Sequence, residues 1–301
     1  MRIWIDTDPA LGYSENGHPR DVDDAFLIVE AIRDPGIEVV GITSVSGNSP
    51  AKVGFEVASD LVSRTGSNIP VLEGASLPGS ETDGFVCDAA VEAMAAALRA
   101  GPLALVAIGP LTNVAALIQH HPEVVSNIET CVVVAGRSVD QVFAIHGATG
   151  IPDFNFEFDP HAGRVLMESE VPVVYVGFEL TSQVVVTAPD LESARGRSSI
   201  GDLLIDGALP WIEWWTGVFP ADTGFHPWDS AALAYLKHPE WFESEQRGWR
   251  IQNSPPGSPG APETPWLELG RDLPGKRSTY CSGFTAGGAE AFVEGIVEAI
   301  R

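Results

Sequence analysis

The segment Arg2-Ile3-Trp4-Ile5-Asp6-Thr7-Asp8-Pro9 joins an apolar run to two aspartates, and Asp21-Val22-Asp23-Asp24 follows before the first helix-like stretch. Five aspartates thus fall within nineteen residues, where a buried strand gives way to a helix. Aspartate is unfavourable in strands and costly to bury, so this cluster indicates that something binds there. Calcium and magnesium take carboxylate oxygens, and open α/β sheets place ligands at the carboxyl ends of parallel strands. The segment therefore predicts a buried first strand that ends at a site for a hard cation.

Short β-branched runs alternate with amphipathic stretches over about the first two thirds of the chain. The predicted strands are residues 3–6, 38–45, 103–108, 131–134 and 171–176. The predicted helices are residues 24–32, 51–63, 89–100 and 111–119. Continuous apolar strands are typical of a parallel sheet buried on both faces. This order predicts an α/β fold with an open, mostly parallel central sheet covered by helices on both faces, similar to a Rossmann core.

The remainder of the chain is less regular. A tryptophan-rich segment lies at residues 211–215, and a run rich in Pro, Gly and Ser at residues 253–265 predicts a surface loop. Residues 286–300 have helical spacing and predict a last helix packed on the sheet. Neither irregular segment is typical of a linker between domains. We therefore expect a single domain over residues 1–301.

The composition is strongly acidic, with 41 Asp and Glu against 17 Lys and Arg and a formal net charge of -24. Such a charge argues against nucleic acid and anionic membranes as partners. The cysteines Cys87, Cys131 and Cys281 are widely spaced, so neither a disulfide framework nor a zinc site is predicted. The sequence shows no basic leader and no apolar run long enough to span a bilayer. A soluble, cytoplasmic protein is the expectation.

Polar residues that a core would not require occur at five predicted junctions between elements. They are Asp8 with Asp23 and Asp24, Ser46-Gly47-Asn48, Ile108-Gly109-Pro110-Leu111-Thr112-Asn113, Asp153-Phe154-Asn155, and His226-Pro227-Trp228-Asp229. Because the carboxyl ends of parallel strands lie along one edge of a sheet, we expect these side chains to converge there.

The same residues resemble the inosine-uridine-preferring nucleoside hydrolase family. Members of that family open with a strand leading to DxDPGxDD, and this chain has Asp6-Thr7-Asp8-Pro9 followed later by Asp23-Asp24. Its other blocks are similar to the family's TTVxGN, GPLTN and EFN motifs, and they are residues 43–48, 109–113 and 153–155, followed by Asp159-Pro160. Trp228-Asp229 falls where an aspartate opens the family's last characteristic helix. Five blocks in the family's order, from residue 3 to about residue 236, make a specific match.

The resemblance implies a nucleoside hydrolase-like fold, a homodimer or homotetramer, and calcium-assisted hydrolysis of ribonucleosides to ribose and free base. The implied calcium ligands are Asp8, Asp24, Asp229 and the backbone carbonyl of Ile108, with Asp8 also the general base. The implied ribose-binding residues are Asp23, Asn48, Asp153 and Asn155. Elementary chemistry agrees, because breaking a C–N glycosidic bond builds positive charge on the sugar, which carboxylates stabilise. Calcium also makes a proton of water easier to remove.

One departure from the family's pattern is an insertion in the acidic motif. Asp8 and Asp23 are 15 positions apart, whereas the compact motif places the equivalent residues four apart. The eleven extra residues are rich in Gly and polar side chains, which suits a loop that leaves and rejoins the site. Within this region, Asp21 is expected to be a loop or helix-capping residue rather than a site contact.

A second departure concerns the leaving base. Pyrimidine-accepting members have a histidine immediately before the last calcium aspartate, where it can protonate the base, and this chain has Trp228. An indole cannot donate that proton, but it can stack on a base, which favours purine nucleosides as in purine-specific relatives that place a tryptophan there. His226 is either a substitute acid or a loop residue. Trp211, Trp214 and Trp215 either cover the base or pack a helix on the core.

Two other functions stay open on the sequence alone. A haloacid-dehalogenase-type phosphohydrolase also ends its first strand in DxD around a divalent metal, and Asp6 would then be the essential residue. That class requires a cation near the phosphate, yet none of Lys52, Lys237 and Lys276 follows a central strand. The other alternative is a nucleoside- or sugar-binding protein that has lost catalysis through the insertion.

Overall fold

The computed structural model describes residues 1–80, 82, 84–149, 151–254 and 264–301. Its central element is a ten-stranded sheet within these ranges. The strands are β1 Arg2–Thr7, β2 Glu38–Ser44, β3 Val71–Glu73, β4 Leu103–Ala107, β5 Ile128–Val133, β6 Arg137–Ser138, β7 Val173–Val176, β8 Phe242–Asn253, β9 Pro265–Gly270 and β10 Ser278–Phe284.

The strand order in the sheet is β3-β2-β1-β4-β5-β7-β10-β8-β9-β6. Neighbours from β3 through β10 pair in parallel, while β8 is antiparallel to both β10 and β9. Chain order reverses at β1, because β2 and β3 lie on one side of it and β4 and β5 on the other. Open α/β sheets bind ligands at the carboxyl ends of the strands beside such a reversal. Asp8 follows β1 at that point.

The helices are α1 Asp23–Arg33, α2 Ala51–Arg64, α3 Ala89–Ala100, α4 Thr112–His120, α5 Phe154–Phe158, α6 Pro160–Glu168, α7 Phe178–Thr181, α8 Ala188–Glu192, α9 Ser199–Val218, α10 Ser230–Lys237 and α11 Gly288–Ala299. Two 3-10 helices cover Pro122–Asn127 and Pro239–Trp241. No helix in these ranges has both the length and the apolar character needed to cross a membrane.

Side chains of β1 point alternately into two apolar layers. Ile3 and Ile5 pack with α1, α2, α9, α10 and α11 on one face of the sheet, whereas Trp4 packs with α3, α4 and α6 on the other. A strand buried on both faces has no polar side to present, which explains the apolar run Ile3-Trp4-Ile5 in β1. The predicted α/β fold with helices on both faces is confirmed.

The predicted elements agree with the structure to within about three residues at each end, and the helix at residues 89–100 agrees at both ends. The start of α3 is fixed by Asp88, whose carboxylate accepts hydrogen bonds from the amides of Ala90 and Val91. The sequence analysis did not predict β3, the three strands β8 to β10, or α9. The antiparallel strand β8 is only partly buried, so its charged residues hide the strand pattern. Most of the predicted Pro/Gly/Ser loop, residues 255–263, lies outside the described residues.

Three short antiparallel pairs lie beside the main sheet, namely Ser14–Glu15 with His18–Pro19, Ala144–Ile145 with Ala148–Thr149, and Val186–Thr187 with Gly224–Phe225. The first pair belongs to the insertion, and we call residues 10–20 the inserted loop. Its turn residues Asn16 and Gly17 have φ angles of 52° and 82°. Two successive positive φ angles define a two-residue hairpin turn of the type that Asn-Gly favours. The inserted loop therefore contains a β-hairpin.

Candidate active site

A cavity of about 380 Å³ opens at the carboxyl ends of β1, β4 and β5. The structure brings together there nine of the ten residues that the sequence analysis selected. They are Asp8, Asp23, Asp24, Asn48, Ile108, Asp153, Asn155, Trp228 and Asp229. These residues are separated by up to 221 positions in sequence, so the topology of the sheet is what assembles them.

Three aspartates form the centre of the acidic wall. Carboxylate oxygens of Asp23, Asp24 and Asp229 lie within 4.8 Å of one another, and all three residues are buried. Asp23 and Asp24 are the first residues of α1, where the helix dipole favours negative charge, and Asp229 directly precedes α10. The threonine hydroxyl of Thr7 and the amide of Asp8 both donate to Oδ1 of Asp24. Asp23, which the resemblance assigned to ribose, is thus also within reach of a shared cation.

Glycines make room for the carboxylate of Asp8 beside this group. A Cβ on Gly47 would collide with Oδ2 of Asp8, and one on Gly109 would lie 2.7 Å from Cγ1 of Val45 and 3.2 Å from Asp8. The amide of Asn48 donates to Oδ2 of Asp8 over 2.5 Å. Two of the family-like motifs therefore act by letting the backbone come close to this side chain.

Burial and like charge both disfavour ionisation of these aspartates. Burial, and after it the charges of Asp23, Asp24 and Asp8, raises the pKa of Asp229 well above its usual range. Burial and the neighbouring Asp24 do the same to the pKa of Asp8, and burial with Asp23 raises the pKa of Asp24 to about 7. Carboxylates so placed need either protons or a cation to offset their repulsion. Oxygen donors alone, with three carboxylates at this spacing, fit a hard divalent cation.

Further polar groups line the cavity beside these aspartates. Nδ2 of Asn155 donates to the carbonyl of Ile108 over 3.0 Å and to that of Val134 over 3.1 Å. The predicted backbone ligand at Ile108 is therefore at the cavity wall. Oδ2 of Asp153 accepts from the amide of Gly136 over 2.8 Å, and burial raises the pKa of Asp153 to about 7. Nδ2 of Asn48 donates to the carbonyl of Asp21.

Aromatic side chains also line the cavity, among them three tryptophans of α9. Trp211, Trp214 and Trp215 line the cavity together with Trp228. Spacings of three and four residues place these indoles on one side of the helix, where Trp211 and Trp214 stack with ring centroids 5.0 Å apart. Trp215 meets Trp228 edge to face at 5.4 Å. The interpretation that these rings pack a helix on the core is confirmed, and the rings also line the cavity, while their covering of the base stays a prediction.

Two candidate residues lie elsewhere. His226 is buried behind Trp215, with Nδ1 2.7 Å from the carbonyl of Val184 and Nε2 3.3 Å from Oδ2 of Asp222, and it is not among the described lining residues. Its ring is held as a structural group and does not reach the cavity. Asp6 also lies outside the lining, because its Oδ1 accepts from Thr43 over 2.6 Å and from Nδ2 of Asn113 over 2.8 Å. That position gives the phosphohydrolase alternative no nucleophile in the cavity.

The inserted loop and its neighbour Asp21 supply lining residues that the sequence did not predict. Arg20 and Asp21 both line the cavity, so the expectation that Asp21 is only a loop or capping residue was wrong. The loop is fixed by an ion pair between Arg20 and Glu15 and by a 3.1 Å hydrogen bond from Nε1 of Trp214 to Nδ1 of His18. A hairpin so attached to α9 closes one side of the cavity. Because the residues involved are about 200 positions apart, no local pattern signals this contact.

The fold and this cavity define an α/β protein with a candidate metal-assisted active site at the carboxyl edge of its sheet. Residues 3–266 match the family model described as "Inosine-uridine preferring nucleoside hydrolase". The chain therefore belongs to the inosine-uridine preferring nucleoside hydrolase family, as its motifs suggested. It is accordingly an enzyme of the class that hydrolyses N-glycosyl bonds of ribonucleosides.

Known members resemble this chain over most of its length. The pyrimidine-specific ribonucleoside hydrolase RihA of Citrobacter koseri is 30% identical, with 79% of this chain and 82% of that protein covered. The probable uridine nucleosidase 1 of Oryza sativa subsp. japonica is 28% identical, covering 83% and 81%. The structure of the purine-preferring ribonucleoside hydrolase from Gardnerella vaginalis superposes with a TM-score of 0.80 at 20% identity, covering 100% of this chain and 99% of that one. The last comparison shows a shared fold.

Proposed function

We propose that this enzyme hydrolyses ribonucleosides with calcium held between α1 and α10, and that Asp8 is its general base. The observation that carries the proposal is the set of buried aspartates around one cavity, with oxygens of three of them within 4.8 Å of one another. A solvated loop or a helix cap would not require that arrangement, because burying like charges costs free energy unless a ligand compensates it.

The residues that would hold the ion are Asp8, Asp24, Asp229 and the carbonyl of Ile108, and Asp23 is near enough to share it. When bound, calcium would supply the positive charge that ionises these carboxylates and makes a proton of water easier to remove. All of these donors are oxygen atoms, which would favour a hard ion.

Asp8 is suited to accept a proton from water. Its Oδ2 is held by the amide of Asn48, while its Oδ1 lies 3.2 Å from the place that a Cβ on Gly109 would occupy. A carboxylate fixed by one oxygen can use the other to take a proton without first reorienting. Burial, and after it the charge of Asp24, raises the pKa of Asp8, and a bound cation would return it to the ionised form that a general base requires.

The other polar residues would hold the sugar. Asp23, Asn48, Asp153 and Asn155 line the same cavity and offer both acceptors and donors to hydroxyl groups. As the glycosidic bond breaks, positive charge grows on the ribose ring, and the surrounding carboxylates stabilise it. A 2′-deoxyribonucleoside would leave one of these buried groups unpaired, at a cost of about 1–3 kcal/mol.

For the base, we infer a preference for purines. No histidine is among the described lining residues, so protonation of a pyrimidine leaving group has no evident donor, whereas four tryptophans offer faces for stacking. The Gardnerella relative named purine-preferring and the structure titled inosine-guanosine nucleoside hydrolase, which has a TM-score of 0.75, are consistent with this. Relatives named pyrimidine-specific support the alternative, pyrimidine nucleosides.

The test measures ribose released from inosine, uridine and 2′-deoxyinosine, each with calcium and with chelator. Wild-type enzyme should act only with calcium and should have the higher kcat/KM for inosine. Trp228→His, which adds a ring able to donate a proton, should shift the ratio towards uridine. A wild-type kcat/KM that is higher for uridine would contradict the purine preference and leave the hydrolase assignment intact.

Asp8→Asn should lower kcat by about 100-fold or more, the usual worth of a general base. Asp60→Asn is the matched control, because Asp60 is an exposed aspartate that pairs with Arg64 on α2. An Asp8→Asn enzyme as active as the control would refute the assigned role. Tight binding of ribonucleosides by wild-type protein, without any release of ribose, would instead support the binding-protein alternative.

A further inference from the structure

A second group of potential metal ligands lies on the surface, away from the acidic cavity. Cys87, Glu92 and His121 offer a thiol, a carboxylate and an imidazole whose ligand atoms lie within 4.8 Å of one another. None of the three lines the cavity described above. The sequence did not suggest this group, because a single cysteine without a nearby Cys or His has no recognisable zinc spacing.

The three ligand atoms form a nearly equilateral triangle. Sγ of Cys87 is 3.4 Å from Oε1 of Glu92 and 3.5 Å from Nε2 of His121, and Nε2 is 3.3 Å from Oε1. A tetrahedral zinc site has Zn–S bonds of about 2.3 Å and Zn–N and Zn–O bonds of about 2.0–2.2 Å, which gives edges of roughly 3.3–3.6 Å. All three measured distances fall in that range.

We propose that Cys87, Glu92 and His121 bind a zinc ion, with water at the fourth position. Sulfur, nitrogen and oxygen donors together favour zinc over calcium or magnesium, which prefer oxygen alone. With the thiol ionised, the ligands carry two negative charges, which match the charge of the ion. The side chain of Glu92 is 58% exposed, which leaves solvent access for the remaining ligand.

The surrounding structure holds the ligands in place. Cys87 directly precedes Asp88, the capping residue of α3, and Glu92 lies in the first turn of that helix. His121 follows α4, and its Nδ1 lies 3.5 Å from Oε1 of Glu123. A carboxylate near the second ring nitrogen is the usual partner of a metal-binding histidine.

Binding of the ion requires one local change. Nη2 of Arg99 is 2.9 Å from Nδ1 of His121 and 2.6 Å from Oε1 of Glu123. With the metal on Nε2, Nδ1 carries the proton, so Arg99 keeps only its bond to Glu123 and Nδ1 turns its proton towards that carboxylate. The ion would then join the residue before α3, α3 itself and the residue after α4, and should raise the unfolding temperature.

Zinc and cobalt binding would be measured with excess calcium present, so that calcium competes for any cation site in the acidic cavity. We expect one equivalent of zinc by calorimetry and, with cobalt, a thiolate-to-cobalt charge-transfer band in the near ultraviolet. Zinc should also slow the reaction of Cys87 with a thiol reagent in the wild-type protein, where Cys131 and Cys281 are fully buried. Absence of both the band and this protection would overturn the proposal. This experiment uses only the wild-type protein, so it does not depend on a variant that could misfold.

Cys87→Ser should remove the charge-transfer band, and both Cys87→Ser and His121→Gln should weaken zinc binding by at least about 10-fold. His238→Gln is the matched control, because His238 forms an exposed pair with Glu240 at 3.2 Å and has no cysteine partner. Affinity that is unchanged in both ligand variants, or lowered equally in the control, would show that the zinc binds elsewhere.

Discussion

The backbone amide of Asp229 donates a 2.7 Å hydrogen bond to Oδ2 of Asp23, although 206 residues separate them in sequence. The bond joins the residue before α10 to the first residue of α1, and so holds two sides of the acidic group at a fixed spacing. The acceptor is buried, so water does not compete for this bond.

Two substitutions of Asp23 should separate this hydrogen bond from the charge. Asp23→Asn keeps an oxygen for the amide of Asp229 and removes one negative charge, so the calcium-free protein should be as stable as wild type or more so. Asp23→Ala leaves the amide unpaired and should be less stable than Asp23→Asn by about 1–3 kcal/mol. Chemical unfolding in chelator measures the difference, and equal stability of the two variants would show that the bond contributes nothing. Both variants should bind calcium more weakly than wild type.

Asp6 should make stability depend on pH even when calcium fills the cavity. Burial raises its pKa from 3.8 to about 7, and its Oδ2 has no partner among the described residues. The folded protein therefore holds this proton more tightly than the unfolded chain, so the stabilisation is complete below about pH 4 and is lost as pH rises to about 7. In saturating calcium, Asp6→Asn should flatten the decline in unfolding free energy between pH 5 and pH 8 by on the order of 2 kcal/mol or more. If the dependence of unfolding free energy on pH is the same in Asp6→Asn as in wild type, the group with the raised pKa is another residue.

Two glycines of α9 test whether the inserted loop shapes the cavity. A Cβ on Gly207 would collide with the side chain of Leu11 in that loop, whereas one on Gly217 would meet nothing within 4 Å. Gly217→Ala should stabilise the protein by up to about 1 kcal/mol, because alanine restricts the unfolded chain and favours helix. Gly207→Ala should give no such gain and should raise KM several-fold, because the loop that carries Arg20 is displaced. Steady-state kinetics and thermal unfolding of both variants provide the measurement. Equal KM values for Gly207→Ala and Gly217→Ala would show that the loop does not contribute to substrate binding.

The sequence predicted the acidic wall because its residues directly follow strands, and a parallel sheet gathers strand ends at one edge. Motif residues such as Asn113 and Thr112 have a structural role that the sequence did not reveal. Asn113 bonds to Asp6, to the carbonyl of Ser44 and to the amide of Ala75, and Thr112 donates to Asp159. These bonds connect loops that follow separate strands. A motif shared with the family can therefore stabilise the fold as well as supply catalytic residues.

What could not be predicted depends on contacts between segments distant in sequence. Nearness to Asp229 in sequence makes His226 a candidate acid, yet its ring contacts the carbonyl of Val184. Conversely, Arg20 and the tryptophans of α9 reach the cavity only because a hairpin and a helix far along the chain pack together. Periodicity describes one element at a time, and it carries no information on such pairings.

Arg137 holds the loop that carries Asp153 in place through Glu157. The guanidinium is buried, lies 4.2 Å from the ring centre of Phe143 and 3.9 Å from that of Trp266, and its Nη2 is 2.6 Å from Oε1 of Glu157. The same oxygen of Glu157 accepts the amide of Asp153 over 3.0 Å.

Arg137→Met should therefore leave the partly buried carboxylate of Glu157 without its charged partner and lower the unfolding free energy by about 1–3 kcal/mol. It should also raise KM for ribonucleosides, because the loop at Asp153 loses its anchor and the pKa of Asp153 loses the lowering effect of Arg137. Adding Glu157→Gln removes the unpaired charge and keeps an acceptor for the amide of Asp153, so the double variant should regain most of the stability. Unfolding curves of the two single variants and the double variant complete a double-mutant cycle. If the losses of unfolding free energy are additive, the two side chains act independently.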